Sequence, residues 1–261
     1  MRLATLMLAA ALGCGCGVLS AHAATQPSAT RAATAESQPA QVEPGAVDAL
    51  VKMSAYLRSL RTFQITMQTR RDDVDAYGQL ITLSGDAIYN VRWPDALTID
   101  LTQPAMTRQY VYDGKAMTVY DPKTGYYAQF PAPPTIRETL DLAKQKYGVE
   151  LPLEDLFTWR EGDDRSKALT SAHYVGRAQV NGQPANQYAF RQAAVDWQIW
   201  IADGDKPTPL RVTIVARDDP ARPQFEADLA WDVAPQFAQD AFVFTPPANA
   251  RKIDIHPLAA R

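Results

Sequence analysis

Cysteine is nearly missing from this chain. The two that occur, Cys14 and Cys16, both fall in a leader-like N-terminus. Removal of that leader leaves no thiol for a disulfide, a nucleophile or a metal-thiolate site. Histidine is almost as scarce: His22 sits in the leader, and His173 and His256 have no neighbour at ligand spacing. A metal site needs three or four converging ligands, so neither a metal nor another cofactor is expected. Glycine-rich phosphate loops are absent, as is any strand–turn–helix nucleophile motif. Basic residues form no stripe, and the net charge of −3 with a pI near 5.6 excludes nucleic acid as a partner, because phosphate binding needs a concentrated basic surface. The acidic clusters Asp72, Asp73, Asp75 and Asp218, Asp219 lie beside arginines in turn-like composition. They read as solvated turn charges rather than the paired carboxylates of a glycoside hydrolase. The chain is therefore not expected to be an enzyme, and a hydrolase is the remote alternative.

What is present begins with the leader itself. Arg2 precedes an apolar stretch from Leu3 to Leu19, and small residues follow at Ala21 and Ala23. This is the pattern of an export signal over residues 1–23, cleaved after Ala23. The stretch is short, glycine-interrupted and followed by no second apolar run, so it does not read as a membrane span. "ALGC" ending at Cys14 gives the alternative of a lipid anchor at Cys14 or Cys16. Removing residues 1–23 takes away only Arg2, which leaves 25 basic against 29 acidic residues. Residues 24–43 are Ala, Thr, Ser, Gln and Pro with Val42 as the one large apolar side chain. Such a segment buries too little surface to offset its ordering entropy and reads as a disordered tether.

From Pro44 the pattern turns structured, and residues 44–256 read as one domain. Val47, Leu50, Met53, Leu57 and Leu60 recur at three- and four-residue steps and mark a helix with one apolar face. Period two then takes over. Phe63, Ile65 and Met67 alternate with Gln64, Thr66 and Gln68, and the same phase continues through Ile81, Leu83, Ala87, Tyr89 and Val91, then Leu97, Ile99 and Leu101. Asp113-Gly114 and Asn181-Gly182 are hairpin dipeptides. Later alternations run through Val195, Trp197, Ile199 and Ile201, then Phe225 to Val233, with a short last strand expected at Phe242–Phe244. Eight to eleven such strands imply one antiparallel sheet, apolar on one face, that curls rather than lies flat.

The sheet pattern is interrupted once, in "YYAQFPAPPTIRETLDLAKQKYGVELPLEDLF" (126–157). Pro131, Pro133 and Pro134 cannot donate to a ladder and turn the chain off the sheet. Thr135 with Glu138 is a capping-box pair, Ile136, Leu140, Ala143 and Tyr147 share one face, and Gly148 supplies a left-handed stop. A second short helix is expected from Pro152, presenting Leu153, Leu156 and Phe157. Together these read as a helical lid over the apolar face of the sheet. The aromatic side chains, including Trp93, Trp159, Trp197, Trp200 and Trp231, then form its core or line a cavity.

The element order, with "YVYDGKAMTVYDP" and "DWQIWIADGDKPTPLRVTI", resembles the superfamily of lipoprotein localisation factors of the LolA/LolB type. The lid segment and "VDWQIWI…DDPARPQF" are more closely similar to a family of predicted periplasmic bacterial proteins, a domain of unknown function. The resemblance spans Gly45 to His256. It implies a mainly β (α+β) fold: a curled, unclosed antiparallel β-barrel with an N-terminal helix and an inserted helical lid. It also implies a groove that takes a lipid, acyl chain or lipoprotein, and a groove-facing arginine for which Arg92 and Arg108 are the candidates. The expectation is a periplasmic, non-catalytic, monomeric protein whose concave groove binds a hydrophobic ligand. The groove and lid candidates are Phe63, Met67, Tyr89, Ile99, Met117, Ile136, Leu140, Tyr147, Trp197, Ile199 and Trp231. The alternative is an envelope interaction module whose groove is filled by its own side chains.

Overall fold

In the computed structural model, which describes residues 41–104, 106–149, 151–153 and 165–258, the alternating segments become one twelve-stranded sheet. Its strands are β1 (Thr62–Val74), β2 (Leu80–Arg92), β3 (Ala96–Gln103), β4 (Met106–Tyr112), β5 (Ala116–Asp121), β6 (Tyr126–Pro131), β7 (Ser171–Val180), β8 (Gln183–Arg191), β9 (Val195–Ala202), β10 (Pro209–Ala216), β11 (Gln224–Asp232) and the two-residue β12 (Arg251–Lys252). Two meanders join where β1 pairs with β11, in the order β12-β6-β5-β4-β3-β2-β1-β11-β10-β9-β8-β7. Every pair is antiparallel except β12 on β6. The sheet curls without closing, so β12 and β7 are its two edges. The expected leader (1–23) with Cys14 and Cys16, residues 24–40 of the expected tether, and Leu156, Phe157 and Trp159 lie outside the described residues.

The registers sort the concave face into rows, because residues paired across strands share a side. One row reads Phe130, Met117, Tyr112, Leu97, Val91, Phe63. The next reads Ala128, Val119, Tyr110, Ile99, Tyr89, Ile65, Trp231. A third holds Arg108, Leu101, Ala87, Met67 and Leu229. The hairpin dipeptides behave as their chemistry requires: Asn181 and Gly182 both take positive φ (50° and 79°), and Val180 pairs directly with Gln183.

Two helices meet this face. α1 (Pro44–Ser59) buries Ala46, Met53 and Leu57. Just before it, Val42 bridges Ala172 in parallel, and the Glu43 carboxylate accepts from the Tyr174 N–H at 3.0 Å. α2 (Ile136–Tyr147) is the inserted lid and buries Ile136, Thr139, Leu140 and Ala143. Its ends follow the sequence: the Thr135 hydroxyl oxygen accepts from the Glu138 N–H at 3.3 Å, and Gly148 closes it at φ 66°. Beyond α2, Pro152 and Leu153 form a turn.

Phe242–Phe244 is not a strand. Turn bonds from Ala241 N–H to Ala238 O and from Val243 N–H to Asp240 O hold it. Phe244 instead packs on Tyr120 and Tyr127, with ring centroids 5.5 and 5.2 Å away. The chain then runs along β6 as β12 and reaches α2, where the Leu258 N–H donates to Lys146 O at 2.8 Å. At the other extreme, β1 and β2 outrun their neighbours. β11 leaves β1 at Arg71 and β3 leaves β2 at Asp86, while the β1–β2 ladder continues to Val74 and Leu80. The projecting arm exposes Val74, Leu80, Ile81 and Tyr77, the last at 90%.

Candidate ligand-binding site

Tyr89 and Tyr112 rise from the concave face and hold the lid at both ends. The Tyr112 hydroxyl donates to Pro133 O, ahead of α2, and the Tyr89 hydroxyl donates to Pro152 O, behind it, each at 2.6 Å. Pro133 O also accepts from the Thr139 hydroxyl at 3.2 Å, so the start of α2 and the sheet share one acceptor. Burial raises the Tyr112 phenol above its ordinary value, against the Thr139 hydrogen bond, which keeps it a donor at neutral pH. Phe130 packs on Tyr147 at 4.3 Å beneath the helix.

The residues expected to line the groove mostly fill it. Phe63, Met67, Tyr89, Ile99, Met117, Ile136, Leu140 and Ile199 are buried in one continuous apolar cluster, with Tyr147, Trp197 and Trp231 packed against it. Trp231 packs at a tilt against Phe63, ring centroids 5.6 Å apart, and gives its indole N–H to Pro209 O, while Trp197 stacks on Phe190 at 4.2 Å. The structure brings all eleven together around the centre of the half-barrel.

A cavity of about 460 Å³ lies past that centre, toward the projecting arm, within the size range of small-molecule sites. None of the eleven is among the residues that line it. One wall is a further row of the concave face, in which Leu83 pairs with Arg71, Arg71 with Phe225, and Phe225 with Ile214. Leu101, Gln103, Pro104 and Met106 of the β3–β4 turn form a second wall. Lys144 near the end of α2 and the turn Leu151–Leu153 close it from above. On the convex side, a depression of about 330 Å³ shares Thr69, Ser84, Gly85, Gln103 and Pro104 with the cavity. The wall is thin there because Gly85 has no side chain: a Cβ would stand 2.9 Å from Thr102 O and 3.1 Å from Gln103 Cγ.

The groove-arginine candidates separate cleanly. Arg92 ends β2 on the convex face, paired with Asp95 at 3.2 Å and lying over the Phe242 ring at 5.2 Å. Arg108 shares a row with Leu101 on the concave face and is bound to Asp121 at 2.6 Å. Burial alone would raise the Asp121 carboxyl; hydrogen bonds from Thr124 and Lys123, with Arg108, hold it below its ordinary value. Arg71 was not among the candidates, although Phe63, Ile65, Met67, Thr69 and Arg71 share one phase and place it on the apolar face. The described residues contain no group of three or more His, Cys, Asp or Glu placed to hold a metal, and no helix long and apolar enough to cross a membrane.

Solved structures to which the chain is similar include MucB, at 14% identity and TM-score 0.43, over 78% of this chain and 64% of MucB. The chain thus spans less than two thirds of MucB. LprF from Mycobacterium bovis is 13% identical at TM-score 0.45, over 80% of this chain and 99% of LprF. A LolA superfamily protein from Nitrosomonas europaea is 10% identical at TM-score 0.32, over 76% of this chain and 97% of its own. No curated protein matches the sequence. A family model matches residues 46–256, which take in the twelve strands, α2, all but the first two residues of α1 and every residue found lining the cavity: the chain belongs to the family of predicted periplasmic proteins DUF2092.

Proposed function

We propose that this is a non-catalytic periplasmic protein, exported by its N-terminal leader, that binds a hydrophobic ligand. The site is the cavity between the β1–β2–β11 row, the β3–β4 turn and the end of the lid. The cavity itself carries the reading. Leu83, Leu101, Met106, Leu151, Leu153, Ile214 and Phe225 supply its apolar surface, from which an apolar ligand favourably displaces water. Catalysis finds little support there: Arg71 and Lys144 are the titratable side chains among its described lining, and no base–nucleophile pair stands between them. The neutral probe N-phenyl-1-naphthylamine tests the reading. Its fluorescence should rise on binding, and Ile214→Glu should abolish the rise by placing a carboxylate in the cavity. No enhancement with wild-type protein, or one that Ile214→Glu leaves intact, refutes the site.

A second reading, an interaction module of the cell envelope, is favoured by different observations. The centre of the groove is filled by its own side chains, and the β1–β2 arm presents Val74, Tyr77, Leu80 and Ile81 to solvent. Crosslinking from position 77 would capture a partner under this reading, and the naphthylamine would stay dark.

A further inference from the structure

Arg71 interrupts a row that is otherwise apolar. Along the concave face the registers give Leu83, Arg71, Phe225, Ile214, Trp197 and Phe190 in succession. A cation in such a position forgoes hydration along its stem while its head stays in reach of water. Arg71 does this at the cavity mouth, where its side chain keeps 54% of its exposure. The second cation of the mouth, Lys144, approaches from the lid on the opposite side. Among the described residues no acidic side chain lines the cavity. Asp73, two residues out along β1, lies 3.5 Å from the Arg71 guanidinium and is equally exposed. Among the described residues, the lining is thus apolar and neutral-polar, with Arg71 and Lys144 as its charged side chains.

We infer that the ligand is an anionic amphiphile. A single apolar chain occupies the cavity, and a carboxylate or phosphate head sits at the mouth between Arg71 and Lys144. This rests on the hydrophobic-ligand reading above and adds the head group to it. The planar guanidinium of Arg71 presents paired donors to an oxyanion, and the ammonium of Lys144 adds a point charge from across the mouth. Asp73, 3.5 Å from the guanidinium, is displaced from it by the head group. It thus acts as an internal competitor for it.

The test is displacement of N-phenyl-1-naphthylamine by four twelve-carbon probes below their micellar concentrations: dodecanoate, dodecyl phosphate, dodecanol and dodecyltrimethylammonium. Dodecanoate or dodecyl phosphate should displace the naphthylamine at roughly tenfold lower concentration than the ammonium probe, given two partly exposed charge-assisted contacts. The relative strength of the two anions identifies a fatty-acid or a phosphate head. The double variant Arg71→Gln, Lys144→Gln should erase the preference while dodecanol displaces as before. Asp73→Asn should tighten anion binding about twofold to threefold, the size of one exposed ion pair. Equal displacement by anionic, neutral and cationic probes overturns the inference and leaves the hydrophobic site standing. A preference that survives the double variant overturns it equally. Failure of the naphthylamine itself to bind refutes the underlying reading instead.

Discussion

Leu140→Ala tests whether the lid is part of the core or merely laid upon it. Leu140 is 6% exposed and shares the buried face of α2 with Ile136, Thr139 and Ala143. Truncating a buried leucine removes its transfer free energy and leaves a cavity, typically 2–5 kcal/mol in total, and about 3 kcal/mol is expected here. In a domain of this length each kcal/mol moves the midpoint by roughly 2–4 °C, so the melting temperature should fall by about 6–12 °C. Gln145 lies on the exposed side of the same helix. Gln145→Ala should therefore stay within about 0.5 kcal/mol, or about 2 °C. Differential scanning calorimetry of the two variants and wild type measures the contrast directly. If Leu140→Ala melts within a degree or two of Gln145→Ala, α2 contributes no packing and the cavity has no roof.

Two further expectations follow from particular contacts. Gly85→Ala places a methyl 2.9 Å from the Thr102 carbonyl oxygen, which β3 can relieve only by moving. It should cost about 1–3 kcal/mol, read as a lower urea midpoint at unchanged m-value. Asp196 binds Arg191 at 2.6 Å, Arg222 at 3.3 Å and Arg217 at 3.4 Å. The Arg191 hydrogen bond, against the opposing effect of burial, holds its carboxyl below the ordinary value of 3.8. Its stabilisation is thus whole above that value and is lost as pH falls through the lower folded-state value. Urea melts should show Asp196→Asn less stable than wild type near pH 6, with the gap narrowing at about pH 3; a gap constant with pH would contradict the assignment.

Most of the architecture was legible because it is written in local chemistry. Asn181-Gly182 is a turn in any context, Thr135 with Glu138 caps whatever helix follows, and the alternation through Phe63, Ile65 and Met67 fixes which side of β1 faces inward. Phe242–Phe244 misled for the same reason. Its alternation is that of a strand, but the Phe242 ring packs on nearby Phe237 and the Phe244 ring on Tyr120 and Tyr127, far away in sequence. The position of the cavity was less accessible still. Met67 and Leu83 are both inward-facing apolar residues of neighbouring strands; what separates core from cavity is whether the lid reaches over them, and only the tertiary fold sets that. Arg71 shows the limit most directly, since its phase was readable and the row it interrupts was not.

An open sheet presents two unpaired rims, and a long, flat one is a template on which a second chain can pair. Here flanking chain lies against one end of each rim. Val42 lies against β7, with bonds running from Glu43 to Ala172 and from Ala172 to Gln41. Arg251–Lys252 lie against β6, with Ile253 continuing to Tyr127 O. Pairing with a second chain is thereby opposed at these ends without the sheet having to close. Deleting residues from Arg251 onward would strip β6 and release the Leu258 contact on α2 together, so a shortened chain should expose that rim and loosen its lid in one step.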